Sequence, residues 1–168
     1  MGDVVKRAKS PQEALQSLMR LCARAERSTG DAMRLMARWG VAESDARAVV
    51  ARLVADRFID DRRYVECFVR EKVNLGGWGA YKIKTSLRRK GISQDIVAEV
   101  VEPMLGEVDM ASRLTNLMQR KIKSIKAKNA YDLKAKLVRF GASRGFDMAL
   151  SIECASTLVG EIDEEFFD

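Results

Sequence analysis

The chain has 168 residues, of which 47% are hydrophobic and 32% are charged, a balance typical of a folded protein with one ordinary core or a few small stacked units. Histidine is absent, which excludes Ser-His-Asp and Cys-His catalysis and imidazole metal sites. The three cysteines are far apart in the sequence, so neither a disulfide framework nor a zinc site is expected. No apolar run approaches the roughly 18 residues of a membrane span and no secretory signal is found, so we expect a cytoplasmic protein. No cofactor is expected.

The net charge is +6, and the cations are concentrated in two stretches. Residues 62–90 hold nine cations and two acids, and residues 113–144 hold ten cations and one acid. The last eight residues, 161–168, are acidic instead. Basic stretches of this density favour a polyanion or an acidic protein surface as the partner.

Apolar residues recur at intervals of three and four, which predicts helices, and no sustained strand alternation occurs. Amphipathic segments at Gln12–Arg27, Arg62–Leu75 and Asp109–Lys126 each precede a similar pair of segments. Within each pair, a basic amphipathic segment is followed by Gly, one apolar residue, a polar N-cap and a second amphipathic segment. The glycines are Gly40, Gly91 and Gly145, the apolar residues are Val41, Ile92 and Phe146, and the expected caps are Ser44, Ser93 and Asp147. Glycine suits the left-handed residue that ends a helix, and the apolar residue can fold back on the last turn.

The sequence therefore predicts an all-α protein made of three tandem three-helix repeats that stack into an elongated array. The expected repeats are residues 12–59, 60–106 and 107–160. An N-terminal tail of residues 1–11 precedes them, and an acidic tail of residues 161–168 follows. Asp60 and Asp61, between the first two repeats, are expected to cap the fourth helix rather than to bind a metal.

A glycine-rich stretch, NLGGWGAYKIKTSLRRKGI at residues 74–92, tests whether the chain binds a nucleotide. A Walker loop ending at Lys84-Thr85 would need glycines where Trp78 and Ile83 stand, and a dinucleotide fingerprint would need glycine at Lys82. Both patterns fail. The stretch instead predicts a turn followed by a helix over residues 80–90, with Ala80, Ile83 and Leu87 on its core face.

The other faces of that helix carry cations beside aromatic residues. Tyr81, Lys84 and Arg88 form one stripe, Lys82 and Arg89 form another, and Trp78 lies in the preceding turn. Such faces suit phosphates and bases or acidic patches of a protein. In the alternative interpretation, the aromatic rings pack against a neighbouring helix and the cations are only solvated. A similar helix in the third repeat carries Lys134, Lys136, Arg139 and Arg144.

These residues resemble a known family. Residues 58–93 resemble the middle repeat of the bacterial RecX regulatory proteins, through Ile59, Asp60, Asp61, Arg63, Tyr64, Gly79, Ile83, Leu87, Lys90, Gly91 and Ile92. The third repeat resembles the terminal pattern of that family through Arg139, Phe140, Arg144, Gly145 and Phe146. The resemblance covers about Leu15 to Leu158. It departs from the family at Ala80-Tyr81, where proline is usual, at Ser86, where an acid is common, and at Gly141, where a larger apolar residue is usual.

The resemblance implies a non-enzymatic modulator of the RecA recombinase, built as a curved array of three-helix repeats. Such proteins bind along the RecA–single-stranded DNA filament and lower its growth, ATP hydrolysis and strand exchange. The expected partners are thus the RecA filament and, weakly and non-specifically, single-stranded DNA, with the protein itself a monomer. The expected contact residues are Arg62, Arg63, Arg70, Trp78, Tyr81, Lys82, Lys84, Arg88, Arg89, Lys90, Lys134, Lys136, Arg139 and Arg144.

Two other functions remain open from the sequence. The helix–glycine–helix units also fit a nucleic-acid-binding protein that acts through DNA alone, although the third helices are acidic or apolar rather than rich in base-reading side chains. A nuclease that uses Asp60 and Asp61 with a metal ion is the more distant alternative.

Overall fold

The computed structural model describes residues 6–167 of the chain. All regular elements in this range are helical, which confirms the predicted all-α class. The helices are α1 (Pro11–Arg24), α2 (Thr29–Arg38), α3 (Glu43–Ala55), α4 (Asp61–Asn74), α5 (Ala80–Arg89), α6 (residues 94–106), α7 (Met110–Ile122), α8 (Ala130–Ser143) and α9 (Met148–Gly160). A 3₁₀ turn, Glu164–Phe167, follows α9. Of the predicted tails, residues 1–5 and Asp168 lie outside the described residues.

The described chain forms two compact units. One consists of residues up to Cys67 together with Leu87–Val100, and the other consists of Phe68–Ser86 together with the residues from Val101 onward. The division passes through α4, α5 and α6. The predicted repeat boundaries stay a prediction. Within residues 6–167, no helix is both long and apolar enough to span a membrane.

Each unit has its own apolar core. The core of the first unit includes fully buried Leu18, Met36 and Leu53, from α1, α2 and α3. The core of the second unit is formed by α7, α8 and α9, and its buried residues are Leu114, Met118, Leu133, Leu137, Phe146, Cys154, Ala155 and Leu158. On α5, Ile83 and Leu87 are fully buried as predicted, and Ala80 is half-buried.

The second helix of each predicted repeat ends in the same way. Gly40, Gly91 and Gly145 have φ angles of 78°, 80° and 86°, in the left-handed region that favours glycine. The next residue in each case is buried and donates its N–H to the carbonyl five residues earlier; the pairs are Val41 to Met36, Ile92 to Leu87 and Phe146 to Gly141. This is the helix end that the sequence pattern predicts.

The N-caps of the third helices follow two residues after each glycine. Ser93 and Asp147 stand there and accept the N–H groups of Ile96 and Leu150, as predicted. The prediction for Ser44 is wrong, because the corresponding position in the first repeat is Ala42 and Ser44 lies inside the first turn of α3. Since alanine has no side-chain acceptor, α3 starts without a side-chain cap hydrogen bond.

The two aspartates at the start of α4 differ in role. Asp60 Oδ1 accepts the N–H groups of Arg62 and Arg63, so it caps α4 as predicted. The carboxylate of Asp61 instead accepts the N–H of Thr29 at 2.8 Å and its hydroxyl at 2.6 Å. Asp61 therefore holds the start of α2, 32 residues earlier in the chain, and the prediction that it caps α4 is wrong.

The third helix of the middle repeat contains a π-helical turn. α6 runs as Gln94–Ile96, then π-helical Val97–Val101, then Glu102–Gly106. Pro103 has no N–H for the carbonyl four residues earlier, so the regular α-helical bonding is interrupted here.

Alanine substitutions at two of the left-handed glycines separate backbone strain from crowding. A Cβ at Gly91 meets nothing within 4 Å, whereas a Cβ at Gly145 lies within 2.9 Å of Lys82 Cα and 2.5 Å of its main-chain nitrogen. Gly91→Ala should lower the free energy of unfolding by about 1–2 kcal/mol, the cost of the left-handed conformation. Gly145→Ala should cost about 3 kcal/mol or more, because overpacking is added.

Urea denaturation of the two variants measures this difference. Gly160→Ala is the control, since its Cβ also meets nothing within 4 Å and its φ is not left-handed. Equal losses for Gly91→Ala and Gly145→Ala would contradict the contact at Lys82.

Candidate functional site

The glycine-rich turn before α5 is docked on the end of α8. The N–H of Gly79 donates to the carbonyl of Arg144 at 2.8 Å, and the N–H of Tyr81 donates to the carbonyl of Gly145 at 3.0 Å. A side chain at Gly79 would collide with the main chain of Gly145. These two N–H groups are therefore bound by carbonyl oxygens and are not open to a phosphate.

An equivalent contact joins the start of α2 to the end of α5. A Cβ at Gly30 would collide with the carbonyl oxygen of Lys90, the residue before Gly91. That carbonyl corresponds to the carbonyl of Arg144, the residue before Gly145. The same glycine-dependent approach of a helix start to a helix end thus occurs once in each unit.

Trp78 is held among neighbouring side chains. Its ring is half-buried and makes an edge-to-face contact with Phe68, with ring centroids 6.1 Å apart. The ammonium groups of Lys82 and Lys72 lie 4.5 and 5.0 Å from its centroid. Tyr81, in contrast, is 71% exposed. Of the two predicted aromatic contacts, Tyr81 is the one whose ring is open to a partner.

Most of the predicted contact cations already have partners inside the protein. Five form ion pairs: Arg62 with Glu99, Arg63 with Glu26, Lys84 with Glu102, Lys90 with Asp31 and Lys136 with Asp132. Arg144 donates to the carbonyl of Gly76 at 3.1 Å, Lys82 lies over Trp78, and Arg70 also has an interaction within the protein. Four of the ion pairs, all except that of Lys136 with Asp132, join residues that are far apart in the sequence or on different helices.

The side chains of four predicted contact cations form no ion pair or hydrogen bond with any other residue in the range 6–167. They are Arg88 and Arg89, exposed in the last turn of α5, and Lys134 and Arg139 on α8. The predicted stripe of Tyr81, Lys84 and Arg88 therefore has one free charge, that of Arg88, because Lys84 is 2.6 Å from Glu102.

A basic loop between α7 and α8 was not among the predicted contacts. The sequence predicts helix as far as Lys126, which is wrong, because α7 ends at Ile122 and the chain turns there: Ile125 donates its N–H to the carbonyl three residues earlier. Ile122 and Ile125 mimic the helical spacing because both pack on the core. Residues 123–129 are the loop, and Lys123, Lys126 and Lys128 are exposed on it.

Asp132 organises this loop. Its Oδ2 accepts the main-chain N–H of Lys128 at 3.1 Å and the ammonium group of Lys136 at 3.0 Å. The Lys128 hydrogen bond, with help from Lys136, holds the pKa of Asp132 below its usual value. Lys136 also donates to the carbonyl of Lys126, so both ends of this short segment are bound through main-chain atoms.

Comparison with known proteins identifies the family. The model of the second three-helix domain of RecX matches residues 60–101, and the model of the third three-helix domain matches residues 107–152. Together they account for more than half of the chain. The chain belongs to the RecX family. The two basic stretches, residues 62–90 and 113–144, lie entirely within these matched RecX domains.

Relatives and solved structures agree with this assignment. The chain is 30% identical over 120 residues to the regulatory protein RecX of Lactococcus lactis subsp. cremoris, a match that covers 70% of this chain and 44% of that protein. It is 27% identical over 141 residues to the regulatory protein RecX of Pseudomonas entomophila, covering 84% and 88%. The chain thus spans less than half the length of the Lactococcus relative. The crystal structure of RecX from Lactobacillus salivarius has the same fold, with a TM-score of 0.74, 16% identity and coverage of 90% and 97%.

Asp132→Ala should loosen the basic loop of this RecX protein without unfolding it, because the Asn129 side chain caps α8 on the N–H of Asp132 independently. We expect faster hydrogen exchange at the N–H of Lys128, measured by NMR, and little change in circular dichroism. Because the folded pKa of Asp132 is lowered, the stabilisation is present above the usual carboxyl pKa and is lost as the pH falls through the folded value.

Asp95→Ala is the control, since Asp95 is an exposed acid with no partner among residues 6–167. Unchanged exchange at Lys128 in Asp132→Ala would show that Asp132 does not hold the loop.

Proposed function

We propose that this RecX protein is a regulator that binds the RecA–single-stranded DNA filament and lowers its growth, ATP hydrolysis and strand exchange. Membership of the family supports the regulatory role, because its relatives are named regulatory proteins. The observation that carries the proposal is the pair of free guanidinium groups at the end of α5, in a chain with a net charge of +6.

Arg88 and Arg89 are suited to an anionic partner. Both are exposed, and neither is neutralised by an acid within residues 6–167. A guanidinium group offers several donors in a fixed plane and binds carboxylates and phosphates through two hydrogen bonds at once. The filament presents both groups, the phosphates of the strand and the carboxylates of the recombinase.

The charges at the end of α5 also have a structural effect that the test must separate. Cations in the last turn interact favourably with the helix dipole, typically by less than about 1 kcal/mol at an exposed position. Neutral glutamine is therefore a better substitute than glutamate, since it removes the charge, keeps the helix propensity and adds no repulsion.

The double variant Arg88→Gln, Arg89→Gln should raise the concentration that half-inhibits RecA ATP hydrolysis about tenfold, the loss expected for two charge contacts of about 0.5–1 kcal/mol each. The melting temperature should change little. Filament length in electron micrographs gives an independent readout of the same effect.

Arg38→Gln is the matched control, because Arg38 is likewise an exposed cation in the last turn of α2 without a partner among the described residues. A wild-type protein that leaves ATP hydrolysis and filament length unchanged would overturn the proposed function. Full inhibition by the double variant would leave the function standing and remove α5 as the contact.

A further inference from the structure

The third repeat is longer than the others between its first and second helices. Buried Leu18 and Ala32 are 14 residues apart, as are Val69 and Ile83, whereas Met118 and Leu137, in the corresponding positions, are 19 residues apart. The five extra residues form a longer loop and an added turn at the start of α8, which has 14 residues where α2 and α5 have 10.

The extra residues contribute few side chains to the apolar core, and several of them are charged. Lys123, Lys126 and Lys128 are exposed, and their ammonium groups form no ion pair within residues 6–167. The acid of this region, Asp132, is engaged by the Lys128 N–H and by Lys136. The loop thus holds its shape through main-chain atoms of Lys126 and Lys128 and leaves their side chains free.

Tyr131, at the start of α8, is the most exposed of the large hydrophobic side chains on this added segment. Its side chain is 83% exposed, and its ring and hydroxyl have no partner among the described residues. Burial of an aromatic side chain is a major source of stability, and this ring contributes none to the fold. Neighbouring Lys128 and Lys134 place positive charge on both sides of it in sequence.

The described residues of the acidic tail, 161–167, form no ion pair with the lysines of this loop. Phe166 and Phe167 border a shallow pocket that they share with Lys123 and Lys126. Glu164 and Glu165 precede these rings, and neither forms an ion pair with a loop lysine within the described part of the chain. The lysines therefore keep their charge for an external anion.

We propose that residues 123–131 form a binding site for single-stranded nucleic acid, in which a base stacks on Tyr131 and the phosphates bind Lys123, Lys126 and Lys128. This proposal rests on the proposed function, because the bound strand is the single-stranded DNA of the RecA filament. An aromatic ring beside cations is the usual arrangement for binding single strands without sequence preference. Lysines on flexible stems suit phosphates whose positions vary along a strand.

The surroundings of Tyr131 favour a nucleic acid over an acidic protein segment. A protein contact is usually centred on apolar anchors enclosed by a rim that excludes water. Here the exposed neighbours in sequence are Lys128, Asn129 and Ala130, which provide no apolar enclosure. A paired duplex is excluded as the ligand of this ring, because its bases are already stacked on one another.

Binding of fluorescein-labelled oligothymidylate to the full chain, followed by anisotropy without recombinase, tests the stacking contact. Tyr131→Ala should weaken binding about tenfold, the loss expected for one stacked base, whereas Tyr131→Phe should bind like the wild type. Leu75→Ala is the control, since Leu75 is an 85% exposed apolar residue elsewhere in the same unit.

The salt dependence of binding tests the phosphate contacts. The double variant Lys126→Gln, Lys128→Gln should lower the slope of log affinity against log salt by about 1.4, since each lost single-strand phosphate contact accounts for about 0.7. Circular dichroism should not change, because these residues hold the loop through their main chain.

Three results would overturn the inference: no binding by the wild-type chain, unchanged affinity in Tyr131→Ala, or an equal loss of labelled polyglutamate binding in that variant, which would indicate an acidic protein segment. The outcome is separable from that of the proposed function. Absence of oligothymidylate binding by the wild-type chain, together with normal inhibition of RecA, would overturn the nucleic-acid site alone. Normal oligothymidylate binding with no effect on RecA would overturn the proposed function alone.

Discussion

A helix start meets a helix end in each compact unit, and glycine is what lets the two main chains touch. The start of α2 lies against the carbonyl of Lys90, and the start of α5 lies against the carbonyls of Arg144 and Gly145. The first N–H groups of a helix and its last carbonyls have no partner within the helix, so docking one on the other can satisfy both, as the bonds at Gly79 and Tyr81 do. The helix dipoles also meet with opposite partial charges. The cations of α5 and α8 are positioned by these contacts.

The parts of the fold that were predictable from sequence are those set by neighbouring residues. Three consecutive residues set the helix end: a left-handed glycine, a buried residue and the N-cap of the next helix. The glycine and the buried residue occur in all three repeats, and a side-chain cap follows them in two, at Ser93 and Asp147. The role of Asp61 was not predictable, because its partner Thr29 is 32 residues away and meets it only once α2 and α4 are packed. The Ser44 prediction failed because the cap lies at a fixed distance from Gly40, where alanine stands.

The sequence predicts where cations are concentrated on the candidate contact surface. It does not predict which of these cations lack an ion-pair partner in the folded protein. Lys84 and Arg88 look equivalent on a helical projection, yet Glu102 from the next helix pairs with Lys84 alone. Sequence reasoning also missed Tyr131, which has no apolar pattern around it. The sequence does contain a signal for this segment. The spacing between buried residues of the first and second helices is five residues longer in the third repeat, which indicates residues that are not required by the core.

The π-helical turn of α6 changes how the three repeats can be aligned. Counted from the left-handed glycine, the buried residues of α3 fall at positions 6, 9 and 13 (Ala46, Val49 and Leu53). Those of α9 fall at positions 6, 9, 10 and 13 (Ser151, Cys154, Ala155 and Leu158), whereas those of α6 fall at 6, 10 and 14 (Val97, Val101 and Leu105). The last buried position is thus 13 in α3 and in α9 but 14 in α6. The middle repeat therefore has one inserted residue, and the wider turn at Val97–Val101 absorbs it while Val101 and Leu105 stay buried. An alignment of the repeats needs a one-residue gap at this point, and without it every later position of the middle repeat is compared with the wrong partner.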